Sequence, residues 1–464
     1  MSSRSFFRLD SRFRPAAFGP SILSAAALIA VSGCGNSDEP EAQTAAESQT
    51  DSATEASSGE PVVDTPVQTG QLVDDAVAMI GEQKFGEALQ NLNEAIELDR
   101  ECAEAYFQRA GILADARKYD QQALNDYSRA VELKPNETRY HNMRGLFLLT
   151  RQQYDGAESD FTAAVQTDPK YVQAWNNRGL VKLARGDYEA AIADFNRAVE
   201  IDPNYADGFN NRGFAWFQAA MDKNALADFN RTIELKPDFV NAYNNRGMLR
   251  MKLQQFQAAA DDFSEAIRLD EANIKHYQNR RTAYQQLGLT NQADADAERI
   301  KWLVRLSQIN TVVSQNPDRP DAYIERANHL ADGGRHEIAL TNFEQAINVA
   351  PERSTAWTSR AKYWLEQGEA RKALEDATKA IEKAEASEQE FSHEAYSIRG
   401  DAWFQLGKFD KAIADYSQAK RIDPQVAQAY LKRANLRNQQ GDTNGAQADY
   451  QQALALDPSI SAGQ

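Results

Sequence analysis

The chain has 464 residues, and Gly and Pro together make about 8 % of them, against a usual ~12 %. So few chain breakers argue for helix and against a β-sandwich or a loop-rich enzyme. The formal net charge is −17 with no basic block, which excludes the clustered phosphate contacts of a nucleic-acid binder. Two cysteines, Cys34 and Cys102, exclude a disulfide framework or a four-cysteine zinc site.

The N-terminus reads as an address. Arg4, Arg8, Arg12 and Arg14 form a positive start, offset only by Asp10. Ile22 to Val31 follow as an apolar segment of ten residues, too short to span a bilayer and suited to a signal peptide. It ends in Val31-Ser32-Gly33-Cys34. This resembles a bacterial lipobox: a branched aliphatic residue, two small residues that admit the peptidase, and a cysteine whose thiol takes the lipid. The other reading is an ordinary signal peptide followed by a chance cysteine. By the resemblance, residues 1–33 are removed and Cys34 carries the lipid, each buried CH₂ adding roughly 0.8 kcal/mol of anchoring. Gly35 follows rather than Asp, which in that family implies the outer membrane, facing the periplasm. Removal of the leader takes the net charge to −20.

Residues 34–68 hold Ser, Thr, Ala, Gln and eight acidic residues without a basic one. Such a stretch cannot bury enough apolar surface to fold. It reads as a disordered tether.

From residue 69 onward a period of 34 dominates. Its cleanest copy is Tyr171 to Asn204, and Pro135, Pro169, Pro203 and Pro237 stand 34 apart. Trp175, Gly179 and Lys182 mark a first helix, and Ala191, Phe195 and Ala198 a second. Gly186 separates the two and Pro203 follows the second. One such pair cannot bury its apolar face alone, so copies must stack.

The set Trp175, Gly179, Gly186-Asp187, Ala191, Phe195, Ala198 and Pro203 resembles the tetratricopeptide repeat (TPR) family. About eleven copies fit. The resemblance implies an all-α fold, a right-handed superhelical solenoid of helix pairs after the signal peptide and tether. One extra residue falls near Tyr119–Ala123, twelve between Ala293 and Pro317, and five near Glu385–Phe391. The twelve should lengthen one helix by about three turns, roughly 18 Å. The expected organisation is repeats one to seven over 69–305, an extended helix or spacer at 306–317, and repeats eight to eleven over 318–464.

Ten copies carry Arg beside the buried stripe, among them Arg109, Arg178, Arg212 and Arg326. Nine of these have Asp just before the aromatic position of the second helix, as in Asp126, Asp194 and Asp228; the tenth has Asn342. Arg is rarely buried without a partner. An Arg–Asp bridge between the helices of each repeat is therefore expected, with a structural role.

The residue before that Arg is Asn177, Asn211, Asn245 and Asn279 in four consecutive copies. It lies about 200° from the small buried glycine and should point away from the inner stripe. In the family, first helices line the concave surface. Asn there resembles a ladder that holds peptide backbone, since an amide offers one donor group and one acceptor. The plainer reading has these amides bonded within the scaffold. Leu180, Phe214 and Met248 lie beside them, either to receive apolar side chains of a ligand or to pack. The corresponding positions later in the chain are Asn328, Lys362, Asp401 and Asn435, which are polar. These seven peptide-binding candidates and the lipid-bearing Cys34 are the expected site residues.

The five histidines form no i, i+4 metal pair, and no phosphate loop, nucleophile elbow or HExxH occurs. No metal, cofactor or enzymatic activity is expected. The resemblance implies a lipid-anchored adaptor that binds proteins or extended peptides in the bacterial cell envelope. The rival is a regulatory subunit that touches an envelope enzyme through the solenoid's edge or ends, with no peptide in the groove.

Overall fold

The computed structural model describes residues 65–115, 117–386 and 392–463. The leader, Cys34, most of the tether and most of the five-residue insertion lie outside them. The described residues form eleven helix pairs. The first seven are α1 (Thr65–Gly81) with α2 (Phe85–Leu98), α3 (Ala103–Ala114) with α4 (Asp120–Leu133), α5 (Thr138–Thr150) with α6 (Tyr154–Thr167), α7 (Val172–Arg185) with α8 (Tyr188–Ile201), α9 (Ala206–Gln218) with α10 (Asp222–Leu235), α11 (Val240–Lys252) with α12 (Phe256–Leu269), and α13 (Ile274–Gln286) with α14 (Thr290–Gln315). The last four are α15 (Pro320–Asp332) with α16 (His336–Val349), α17 (Ser354–Glu366) with α18 (Ala370–Ala386), α19 (His393–Gln405) with α20 (Phe409–Gln418), and α21 (Pro424–Gln439) with α22 (Thr443–Leu456). The first helix begins four residues inside the segment read as tether, because Thr65-Pro66 places proline near a helix start, where its missing N–H costs nothing.

The chain divides into two compact units, the first ending at Ala293 and the second starting at Asp294. The sequence reading set the division later, at 306–317. The difference lies in α14, which runs 26 residues where α12 runs 14. Its later turns belong to the second unit: Ile309 and Val313 pack with Ala322, Tyr323, Ala346 and Ile347. Trp302 stacks on His329 at 5.0 Å between ring centroids, and the indole donates to the His329 carbonyl at 3.1 Å.

In eight of the eleven repeats the two helices close on an aromatic side chain; Leu92, Ala297 and Ala377 hold that position in the first, seventh and ninth. A Cβ added at Gly179 would sit 2.6 Å from Phe195 Cε1, and one at Gly213 would sit 2.9 Å from Phe229 Cε1. The ring lies on bare backbone, and glycine permits the approach. Phe161, Phe195, Phe229, Phe263 and Phe343 are fully buried. Between the helices, Gly186 takes a left-handed conformation, φ +82°, and its N–H bonds the Leu183 carbonyl at 3.0 Å. Gln83, Gln152, Ala220 and Gln254 take the same conformation at φ 59° to 62°, so the turn is imposed by helix packing where glycine does not supply it.

In the second repeat the buried ring is Tyr127, whose hydroxyl finds no hydrogen-bond partner among the described residues. Burial pushes its pKa up. An orphaned buried hydroxyl costs about 1–3 kcal/mol. Tyr127→Phe is therefore expected to stabilise the protein by about 1 kcal/mol in urea unfolding, whereas a loss would show that the hydroxyl is satisfied. In the tenth repeat the equivalent Tyr416 donates to Asp401 at 2.8 Å.

Candidate functional site

The Arg and Asp positions meet. Arg178 Nε and Nη2 donate to the two carboxylate oxygens of Asp194 at 2.9 and 2.8 Å. Arg212 grips Asp228 the same way at 2.8 and 2.7 Å, and Arg360 grips Asp376 at 2.7 and 2.8 Å. Equivalent bridges join Arg109 to Asp126, Arg144 to Asp160, Arg246 to Asp262, Arg399 to Asp415 and Arg433 to Asp449. The aspartates are nearly fully buried, and such paired forks are among the stronger polar contacts. The Asp partners raise the pKa values of Arg109, Arg399 and Arg433 through hydrogen bonds, against burial.

These bridges reach further than expected. Arg212 Nη1 also donates to Asn196 at 2.9 Å, and Arg246 Nη1 to Asn230 at 2.7 Å. Each acceptor sits on the second helix of the preceding repeat, so one guanidinium ties three helices together. Arg326 meets Asn342 instead of a carboxylate. Burial lowers its pKa with no bridging acid to oppose it.

The asparagines are also joined, in a pattern the 34-residue register only half disclosed. Asn177 Nδ2 donates to Asn142 at 3.0 Å, Asn211 to Asn176 at 2.9 Å, Asn245 to Asn210 at 3.0 Å and Asn279 to Asn244 at 3.0 Å. Within a helix, Asn176 donates to Asn177 and Asn210 to Asn211, each at 3.3 Å. A run of amide hydrogen bonds thus passes from Asn245 through Asn210, Asn211, Asn176 and Asn177 to Asn142. It staples the first helices of adjacent repeats. Its steps between helices all run toward the N-terminus, and the two steps within a helix pass from one Asn to its successor, a head-to-tail alignment in which hydrogen bonds polarise one another.

This corrects the expected direction of Asn211 and agrees with the plainer reading, in which the amides bond within the scaffold. Asn211 does not point away from the packed interior, because it is buried at 7 % exposure. One donor of each of Asn177, Asn211, Asn245 and Asn279 is already spent within the scaffold. The acceptor residues Asn142, Asn176, Asn210 and Asn244 were missed, although the doublets 176-177, 210-211 and 244-245 signalled them. A residue and its successor lie on neighbouring faces of a helix, so the second Asn of one doublet reaches the first Asn of the doublet before it.

Leu180, Phe214 and Met248 are half-buried. Leu180 and Phe214 pack against the cluster of Leu183, Ile192 and Phe195, and Met248 packs against Ala260 and Phe263. In the second unit, Asp401 is taken up by Tyr416 and by Arg421, whose Nη1 lies 2.7 Å from it. Cys102 is a half-buried free thiol, and burial raises its pKa. Among the described residues, no group of three metal-binding side chains comes together and no helix is long and apolar enough to cross a membrane.

The repeated pair, the buried rungs and the amide row define an all-helical repeat protein whose units bury their faces against one another. The chain belongs to the tetratricopeptide repeat family: tetratricopeptide repeat descriptions match residues 80–138, 142–206 and 324–388, 240–273, 427–460 and, as TPR repeat, 400–437. No curated protein matches the chain. Among solved structures, the chain is similar to the MamA protein, with 22 % identity over 35 % of this chain and 89 % of that one, at a TM-score of 0.32. It is similar to YrrB, described as a TPR protein with an unusual peptide-binding site, with 21 % identity over 41 % and 97 %, at 0.34. It is also similar to PilF of Pseudomonas aeruginosa, with 16 % identity over 46 % and 97 %, at 0.41.

Proposed function

We propose that the protein is a lipid-anchored TPR scaffold that holds proteins or extended peptides in the bacterial cell envelope. The lipobox-like Val31-Ser32-Gly33-Cys34 supports the anchor, and the acidic stretch behind it supports a stalk. The observation that carries the binding role is the row of first helices. There Leu180, Phe214 and Met248 stay partly accessible beside the half-buried amides of Asn177, Asn245 and Asn279, each of which has a second N–H besides the one the relay uses. Such a row suits an extended chain that offers both backbone groups and apolar side chains. The outer membrane, periplasmic face, is the proposed location. The acidic surface favours a basic partner at modest salt.

A second reading has a specific observation behind it. Because the relay already spends one donor of each key asparagine, the partner of a regulatory subunit would instead meet the edge or ends of the array. A pull-down from membranes separates the two. Leu180→Gln/Met248→Gln, checked for an unchanged unfolding midpoint, loses its partner on the first reading. Undiminished recovery favours edge contact. A Cys34→Ser variant is expected in the soluble fraction, and one that stays membrane-bound would overturn the anchor.

A further inference from the structure

His141 stands where the other nine Arg-bearing repeats place an aromatic ring such as Trp175, Phe209 or Tyr243. In those repeats the rung arginine lies over the ring, as Arg178 does over Trp175 at 4.8 Å. In the third repeat the substituted ring joins the rung itself. His141 Nδ1 lies 3.2 Å from Asp160 Oδ1 on α6, and its Nε2 lies 2.9 Å from the Pro135 carbonyl oxygen in the loop ahead of α5. Asp160 also takes both arms of Arg144, at 2.8 and 2.6 Å.

Both ring nitrogens therefore face acceptors. A neutral imidazole carries one N–H and can serve only one of them, whereas the imidazolium serves both. The charged groups acting on the ring are Asp160 from α6, which favours the imidazolium, and Arg144 from its own helix, which opposes it. The Pro135 carbonyl adds its dipole from the connecting loop. The adjoining Asn142 accepts from Asn177 of the next repeat, so this turn of α5 also carries the last acceptor of the amide relay.

We propose that His141 is a proton-operated fastener: as the imidazolium it ties α5 at once to the rung carboxylate of α6 and to the loop that enters the repeat, and on losing its proton it releases one of them and loosens the junction of the second and third repeats. The Asp160 hydrogen bond, acting against burial, raises the pKa of His141 above 6.5. A raised folded-state value means that the stabilisation is fully present below about 6.5 and is lost as pH rises through the folded midpoint. At the acid end, burial of Asp160 is outweighed by its bonds to Arg144 and His141, and its pKa is lowered. Its contribution is lost only as pH falls through that depressed value.

The test uses the full chain. The ring signals of its five histidines are followed by NMR across pH 5 to 9, with His141→Tyr assigning the residue. Amide exchange over 134–150 is compared between wild type and His141→Tyr, which restores the ring type of the other repeats. The expected result is a His141 midpoint above 6.5. Exchange through local opening should rise with pH in the wild type relative to the variant, by about tenfold for each unit of elevation. A midpoint at or below 6.5, or identical pH dependence in both proteins, would overturn the proposal. Should His141→Tyr fail to fold, His141→Gln serves in its place, since its amide does not titrate.

Discussion

Replacing Asp228 by alanine is expected to destabilise the fifth repeat by about 3 kcal/mol. The carboxylate is nearly buried and takes two hydrogen bonds from Arg212, which is itself 18 % exposed. Truncation leaves that guanidinium in place with Asn196 as its remaining neutral partner. Breaking one side of a buried pair costs more than the pair contributes, because the stranded charge keeps its desolvation penalty. An array of repeats need not unfold in one step, so the readout is local: amide exchange over α9 and α10 should accelerate roughly a hundredfold or more. A loss within about ±0.5 kcal/mol, the range of a surface change, would show that the rung is ornamental. The converse substitution lies in the eighth repeat. Asn342→Asp gives Arg326 the acid its neighbours have and is expected to stabilise by about 1 kcal/mol.

The second large effect concerns the ring on the bare backbone. Phe195→Ala removes a fully buried ring and is expected to cost about 3–5 kcal/mol. Gly179→Ala puts a methyl group where the Cβ would stand 2.6 Å from that ring, and is expected to cost about 1–3 kcal/mol by overpacking. The double variant should cost less than the sum by about 1 kcal/mol or more, because the new methyl enters the space the ring vacates. The ninth repeat already carries this combination. Ala361 and Ala377 are both buried there and share one cluster with Ile398. Additive losses in the double-mutant cycle would contradict the packing account.

Much of the scaffold was legible in the sequence because its signals are local and periodic. A helix pair is fixed by apolar residues spaced at 3.6 and by breakers between runs. The pairing of Arg with Asp was legible because the chain repeats its own experiment ten times, and the acid is absent only at Asn342 among the repeats that have the Arg. The asparagines were read by halves. Their first-helix register was plain, but which way an amide turns depends on the distance between neighbouring helices, and no single repeat contains that distance. The same holds for Leu180, Phe214 and Met248, whose clusters draw on neighbouring repeats as well as their own.

The sequence by itself determined the all-helical pairs, their number, the extra turns of α14 and the partners of the rungs, because each follows from spacing within about 50 residues. Tertiary structure alone decided that one arginine holds three helices, that the amides of Asn177, Asn211, Asn245 and Asn279 staple adjacent first helices, and that the division falls at Ala293 and Asp294. These depend on how closely stacked surfaces approach. Stacking is a sum of many small contacts, and a change of an ångström in that approach decides whether an amide meets another amide or a ligand.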